Sequence, residues 1–330
     1  MSGILAKQLS TFAVAGAMFL AASAAAAQTE PAGPVSPTSP TSPILPIKPA
    51  RPAPAADVIK PPLVRWDPSW PKFRTEEYIA TGILAATAFA SLAIPVAEDR
   101  WTTVNGFDAE VRGALRLSGF ERREDAKDAS DIMLTLLLNQ LLLDNAVVVW
   151  WGHGRGDEAL QLTLMDIEAL AFTGAVNGLV AGFASRERPY RDRCYGIDQE
   201  RAPRDCTSSK RYRSYFSGHT STSFTAAALT CIHHAYLPIY GGGAPDAIIC
   251  GASFAAAAAV GAMRVVSDQH FASDVLTGAA IGTLSGLGLP WLLHYRGGAA
   301  PAASSDGGRP AGVTLRFAPA PMGGAMMGTF

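Results

Sequence analysis

Residues 264–293 read RVVSDQHFASDVLTGAAIGTLSGLGLPWLL. The opening of this stretch is polar and holds Arg264, His270 and Asp274, whereas 275–293 contains no charged residue. A long Ala/Leu-rich run with few β-branched alternations reads as a helix, and at 1.5 Å per residue it reaches about 28 Å, close to the bilayer's apolar thickness. The chemistry therefore stands at the helix's beginning. His270 and Asp274 are four apart, so on one helix they share a face and the carboxylate can accept the imidazole N–H. That bond would fix the tautomer and leave the other nitrogen free to attack, the orienting logic of a catalytic triad.

Working outward, the same composition predicts long helices near 78–97, 128–151, 158–184, 220–239, 246–265 and 270–294, with a shorter amphipathic piece over 107–117. The fold class expected is all-α, a bundle of about six long helices. Two further clusters sit at helix ends. Ser185-Arg186-Glu187-Arg188-Pro189 closes the third helix, where Pro189 stops helical continuation and leaves Arg188 at the rim. Phe216-Ser217-Gly218-His219-Thr220 opens the fourth, where free N–H groups suit an anion, Gly218 permits close approach, and His219 titrates near neutrality. Taken singly, each cluster also reads as a solvated turn, a Ser/Thr N-cap or a surface ion pair.

Antiparallel packing puts the end of helix three, the start of helix four and the turn between five and six on one face. Parity thus brings Arg188, Ser217, Gly218, His219, Arg264, His270 and Asp274 to a common mouth. Residues 186–213 hold nine Lys/Arg against five acids, a local excess of four positive charges in a chain whose net charge is −1. Such a funnel favours anions, and bidentate arginines with helix-end amides suit a tetrahedral oxyanion such as phosphate. On this reading His270 attacks phosphorus, Asp274 orients it, His219 protonates the leaving alcohol, and Arg188, Arg264, Ser217 and Gly218 hold the phosphate.

The remaining composition narrows the choice. Balanced charge, 27 Lys plus Arg against 28 Asp plus Glu, argues against a nucleic-acid partner. There is no CxxC pair, no GxGxxG turn and no GxxxxGK[ST] loop. Hydrophobic residues at 48% exclude a chain disordered throughout.

The order RP, then SGH, then R-x5-H-x3-D resembles the type 2 phosphatidic acid phosphatase (PAP2) family, which is related to the vanadium-dependent haloperoxidases. The resemblance implies a helical-bundle phosphatase that acts on a phosphomonoester, either a lipid phosphate or a small phosphate ester. It further implies a phosphohistidine intermediate, the roles given above, and no required metal or other cofactor. Two positions depart from the family pattern of Lys-x6-Arg-Pro and Pro-Ser-Gly-His: Ala181 stands where the lysine is expected, and Phe216 where the proline is. Losing one charge-assisted contact costs about 1.5–3 kcal/mol of phosphate binding. Arg186 is the candidate replacement. The alternatives are a vanadate-dependent haloperoxidase-like enzyme and a catalytically weak binder of phospholipid headgroups.

Residues 1–27, with Lys7, the apolar run Phe12–Ala22 and Ala25-Ala26-Ala27, read as a secretory signal. Residues 28–65 read as an extended linker: 11 prolines fall between Pro31 and Pro62, eight of them at every third position, as in polyproline II. The catalytic body is expected over 66–295, and a Gly/Ala/Pro-rich tail over 296–330 in which only Val313–Phe317 looks like a strand. The expected location is the cell envelope with the site facing the periplasm, either membrane-associated or soluble there. Asp144, Asp166 and Glu168 weigh against some helices crossing a bilayer, and an exported N-terminus followed by three crossings would put the mouth inside. Cys194 and Cys206 either bridge the mouth loop or stay as thiols. Cys231 and Cys250 are expected simply to pack in helices, only one of His233 and His234 to face the core, and His153 to be an interfacial or loop residue.

Overall fold

The computed structural model describes residues 64–98, 100–194 and 204–297, and the backbone of 314–320 and 323–329. The expected signal, nearly all of the Pro-rich linker and Val313 lie outside the described residues. Seven helices carry the body: α1 (Thr75–Ala90), α2 (Gly106–Leu115), α3 (Phe120–Leu142), α4 (Gly156–Ala184), α5 (Gly218–Tyr236), α6 (Ala244–Val266) and α7 (Ala272–Leu293). Six are long and the short α2 matches the predicted amphipathic piece, so the body is the all-α bundle that the sequence implied. α3 begins eight residues before the expected start, because its first turns are charged and carry no apolar periodicity. It runs on as a wider π-helical stretch, Leu143–Gly152. In the tail, β1 (Thr314–Ala320) pairs antiparallel with β2 (Gly323–Thr329). The second strand escaped sequence reading because its Gly and Met residues carry no β-branched signal.

The helices alternate in direction, so the ends of α4 and α6 and the starts of α5 and α7 share one end of the bundle. α5 lies at the centre, and Ala226, Ala227, Ala228 and Leu229 are fully buried. Its contact with α7 is the closest in the bundle. A Cβ on Gly278, Gly282 or Gly286, spaced four apart on α7, would fall 2.7, 2.2 and 2.5 Å from the carbonyl oxygens of Ser217, Ser221 and Thr225. This stripe of small residues lets the two backbones meet. The amide of Ser217 consequently reaches the carbonyl of Asp274 at 3.1 Å, which ties the start of α5 to the start of α7.

At the opposite end, the polar residues expected to resist a bilayer point inward. His233 contacts Asp166 at 3.0 Å and the Tyr295 hydroxyl at 2.9 Å, and Asn145 donates to Asp166 at 2.7 Å. His234 contacts Asp246 at 2.6 Å, and the Tyr240 hydroxyl donates to Asp144 at 2.6 Å. Both histidines are buried, correcting the expectation that only one would be: a central helix has protein on every side. Each clamps α5 to a different neighbour. His153 contacts the Ile239 carbonyl at 2.8 Å. Cys194 bridges Cys206, and Cys231 bridges Cys250. The second bridge corrects the packing role expected of that pair, which facing positions on α5 and α6 bring together.

Four helical segments, 120–152, 156–184, 244–266 and 272–293, are long and apolar enough to cross a membrane. Only 28–33% of each apolar window is buried, so most of that surface lacks a partner among the described residues. Ile83, Phe89, Leu142, Phe183, Leu276 and Leu284 are all exposed, and Trp150, Trp151 and Trp291 are exposed toward the far end of the bundle. An apolar surface with aromatics toward one end suits a bilayer and its interface. The protein is membrane-associated through this helical body.

Candidate active site

The mouth is built from five segments. His270 lies in the turn between α6 and α7 and is 2% exposed. Its Nδ1 donates to the carbonyl of Ser214 at 2.8 Å. A carbonyl only accepts, so Nδ1 carries the proton and Nε2 keeps the lone pair. That Nε2 is buried and has no hydrogen-bond partner among the described residues. Burial, followed by the charges of Arg188, Arg264 and His219, holds the His270 imidazole well below the ordinary histidine range, so the ring is neutral at neutral pH.

Asp274 does not take the imidazole hydrogen bond expected from the i, i+4 spacing. Its Oδ2 is 3.6 Å from His270 Nδ1 but accepts from the Ser214 hydroxyl at 2.6 Å and from the Phe271 amide at 3.0 Å. The carboxylate therefore fixes Ser214, whose carbonyl orients the ring, and remains beside the imidazole as a counter-charge. As the third residue of α7 it also caps that helix.

Arg186 is not at the mouth, which corrects its assignment as a replacement phosphate ligand. Its guanidinium is 1% exposed and pairs with Asp274 at 2.6 Å and Asp108 at 2.6 Å. It lies between the rings of Trp101 and Phe271, at 4.5 and 4.3 Å from their centroids. Both carboxylates are buried and share this one cation through its Nη1 and Nη2, while its buried Nε has no partner among the described residues. Asp108, in α2, also accepts from the Ser273 amide at 2.9 Å and so anchors the start of α7.

Arg188 reaches the mouth from the segment after α4. Its Nε donates to the Lys210 carbonyl at 3.0 Å and its Nη1 to Gln269 Oε1 at 3.2 Å. Arg264, at the end of α6, donates through Nη1 to Ser130 Oγ at 2.9 Å and Asp131 Oδ1 at 3.0 Å, while its buried Nε has no partner among the described residues. Ser217 caps α5: its Oγ accepts from the Thr220 hydroxyl at 2.9 Å, which leaves its own hydrogen to donate. Gly218 is required by Asn177 as well as by any ligand, since an added Cβ would sit 2.8 Å from the Asn177 side-chain oxygen. His219 Nε2 lies 3.0 Å from Asp131 Oδ1. Burial lowers the His219 imidazole from the ordinary range; Asp131 opposes this, and Arg264 and Arg188 add to it.

Charge interactions bring Arg188, His219, Arg264 and His270 together, Ser217 and Gly218 stand beside His219 at the start of α5, and Asp274 lies 3.6 Å from His270. Sequence reading missed Ser214, Asp108 and Asp131. Ala181, at the expected lysine position, is buried in α4. Among the described residues no group of three or more His, Cys, Asp or Glu is arranged to hold a metal ion.

Residues 165–297 match the model of the PAP2 superfamily. A 73-residue stretch is 41% identical to the lipid A 1-phosphatase of Porphyromonas gingivalis, covering 22% of this chain and 15% of that protein's length. The crystal structure of the first transmembrane PAP2-type phosphatidylglycerolphosphate phosphatase from Bacillus subtilis aligns at 17% identity and a TM-score of 0.42, over 66% of this chain and 94% of that one. That of Aquifex aeolicus LpxE aligns at 20% identity and a TM-score of 0.36, over 58% and 96%.

Proposed function

We propose that the chain is a membrane-associated phosphatase that hydrolyses a lipid phosphate or related phosphomonoester through a phosphohistidine. The observation that carries this reading is the His270 imidazole, with its proton fixed on Nδ1 and an unpartnered Nε2 beside two arginines. In the first step the Nε2 lone pair bonds to phosphorus as the P–O bond breaks; its electrons go to the leaving oxygen, which takes a proton from His219. In the second, water gives a proton to His219 and attacks phosphorus, and the P–N electron pair returns to Nε2 as inorganic phosphate leaves. Arg188, Arg264, the Ser217 hydroxyl and the helix-end amide of Gly218 neutralise the equatorial oxygens, and Asp274 balances the phosphorylated imidazolium. A lipid substrate follows from the apolar body, whose exposed helices would hold acyl chains at the same depth as the enzyme.

The mouth is assigned to the oxidising side of the membrane, with the Cys194–Cys206 bridge on its loop in support. α1 lies antiparallel to α4: the Phe73 amide meets Gln161 near the start of α4, and Ile94 meets Gly182 near its end. Arg74 and the mouth are therefore at opposite ends of the bundle.

The test is phosphate release from a panel of phosphorylated lipids and soluble monoesters by detergent-solubilised protein. Release by the wild type and its loss in His270→Ala support the reading; no release from any member, or full turnover in His270→Ala, ends it.

A further inference from the structure

We infer that Asp131 is a positioning residue of this reaction: a single carboxylate oxygen holds the His219 imidazole and the Arg264 guanidinium together and, through His219, serves proton delivery to the leaving alcohol. The inference rests on the phosphatase reading above and adds a residue that lies in none of the three motifs.

Asp131 Oδ1 is 3.0 Å from His219 Nε2 and 3.0 Å from Arg264 Nη1. Its neighbour Ser130 is fully buried and accepts from the same Nη1 at 2.9 Å, so adjacent residues of α3 grip one guanidinium. A carboxylate next to two anion-binding groups repels a phosphate dianion, so tighter substrate binding is not what it contributes. What it does contribute is orientation: an acceptor on Nε2–H fixes the ring plane and aims Nδ1 away from α3. The groups that face His219 come from every side. Asp131 stands on α3, with Lys127 one turn earlier beside it; Arg264 stands on α6, Arg188 after α4, and His270 in the α6–α7 turn. Arg264 and Arg188 disfavour the protonated His219 ring, whereas Asp131 favours it. A general acid loaded between two cations needs such a counter-charge to keep its proton at the pH of turnover.

The experiment uses full-length protein and two substrates. p-Nitrophenyl phosphate has a leaving group that departs with little protonation, and an alkyl phosphate needs the proton. Asp131→Asn is expected to lower the alkyl-to-nitrophenyl rate ratio about 10- to 100-fold, a share of the 10²–10⁴ that acid catalysis contributes. The loss should fall in kcat, with the inhibition constant for inorganic phosphate unchanged or lower. The alkaline limb of kcat/KM should move to lower pH, and Asp131→Glu should restore it. In a His219→Ala background, Asp131→Asn should cost nothing further, as expected of groups acting as one unit. The rate ratio does not depend on enzyme concentration, so it is readable on whatever folded fraction a variant yields. Equal losses on both substrates, a loss confined to KM, or an additive loss in the His219→Ala background overturns the inference. Activity surviving in His270→Ala would instead overturn the phosphatase reading itself.

Discussion

The Nδ1 nitrogen of His270 donates to the main-chain carbonyl of Ser214 at 2.8 Å, while Asp274 grips the Ser214 hydroxyl from behind at 2.6 Å. The imidazole is thus oriented by backbone, and the carboxylate acts on it through an intermediate residue. The arrangement links the segment before α5 to the start of α7, so the unpartnered Nε2 is fixed by the fold rather than by one flexible side chain.

Arg186 is predicted to be a stability residue. Arg186→Met leaves Asp108 and Asp274 as buried carboxylates without their cation, at a cost of about 3–5 kcal/mol. Unfolding of the purified protein in detergent should shift accordingly, and the inhibition constant of inorganic phosphate on the folded fraction should stay within about threefold. A tenfold weaker phosphate constant with unchanged stability would return Arg186 to the mouth.

Ala181→Lys tests the missing cation. The side chain would leave α4 one turn before its end. A new charge-assisted contact of about 1.5–3 kcal/mol would tighten phosphate binding roughly 10- to 150-fold. Competitive inhibition by inorganic phosphate measures it. An unchanged constant in a folded variant places this position out of reach of the anion.

The pH dependence of the proposed mechanism follows from the roles it gives the two histidines. His270 acts neutral, and its proton is held well below the ordinary histidine range, so activity is lost on the acid side only at low pH. His219 acts protonated, and its lowered proton affinity means that the acid form is lost as pH rises through a value below 6.5. The profile of kcat/KM, which reports the free enzyme, should therefore peak in the acid range. A maximum above pH 7.5 with an alkyl phosphate would contradict these roles.

Legibility in the sequence was uneven, for physical reasons. The long helices announced themselves through apolar runs, and Arg188, His219 and His270 through motifs at helix ends. Asp131 lies in a charged segment of α3 that resembles a solvated face, and 88 residues separate it from His219, so no local spacing marks it. Arg186 looked like a mouth cation because its partner, Asp108, stands on a short helix 78 residues upstream. The Cys231–Cys250 bridge was hidden for the same reason: each cysteine reads locally as a small buried residue, and only the contact of α5 with α6 pairs them. His233 and His234 depended on how many neighbours surround α5, a property of the whole bundle.

The central claim is that His270 takes up the phosphoryl group. Rapid acid-free quenching of wild-type protein with a ³²P-labelled phosphomonoester, followed by peptide mapping, tests it directly. The account predicts label on the peptide bearing residue 270, stable to base and lost in acid, and absent from His270→Ala. Label on another residue, or phosphate release at an undiminished rate with no labelled protein at any quench time, would contradict it.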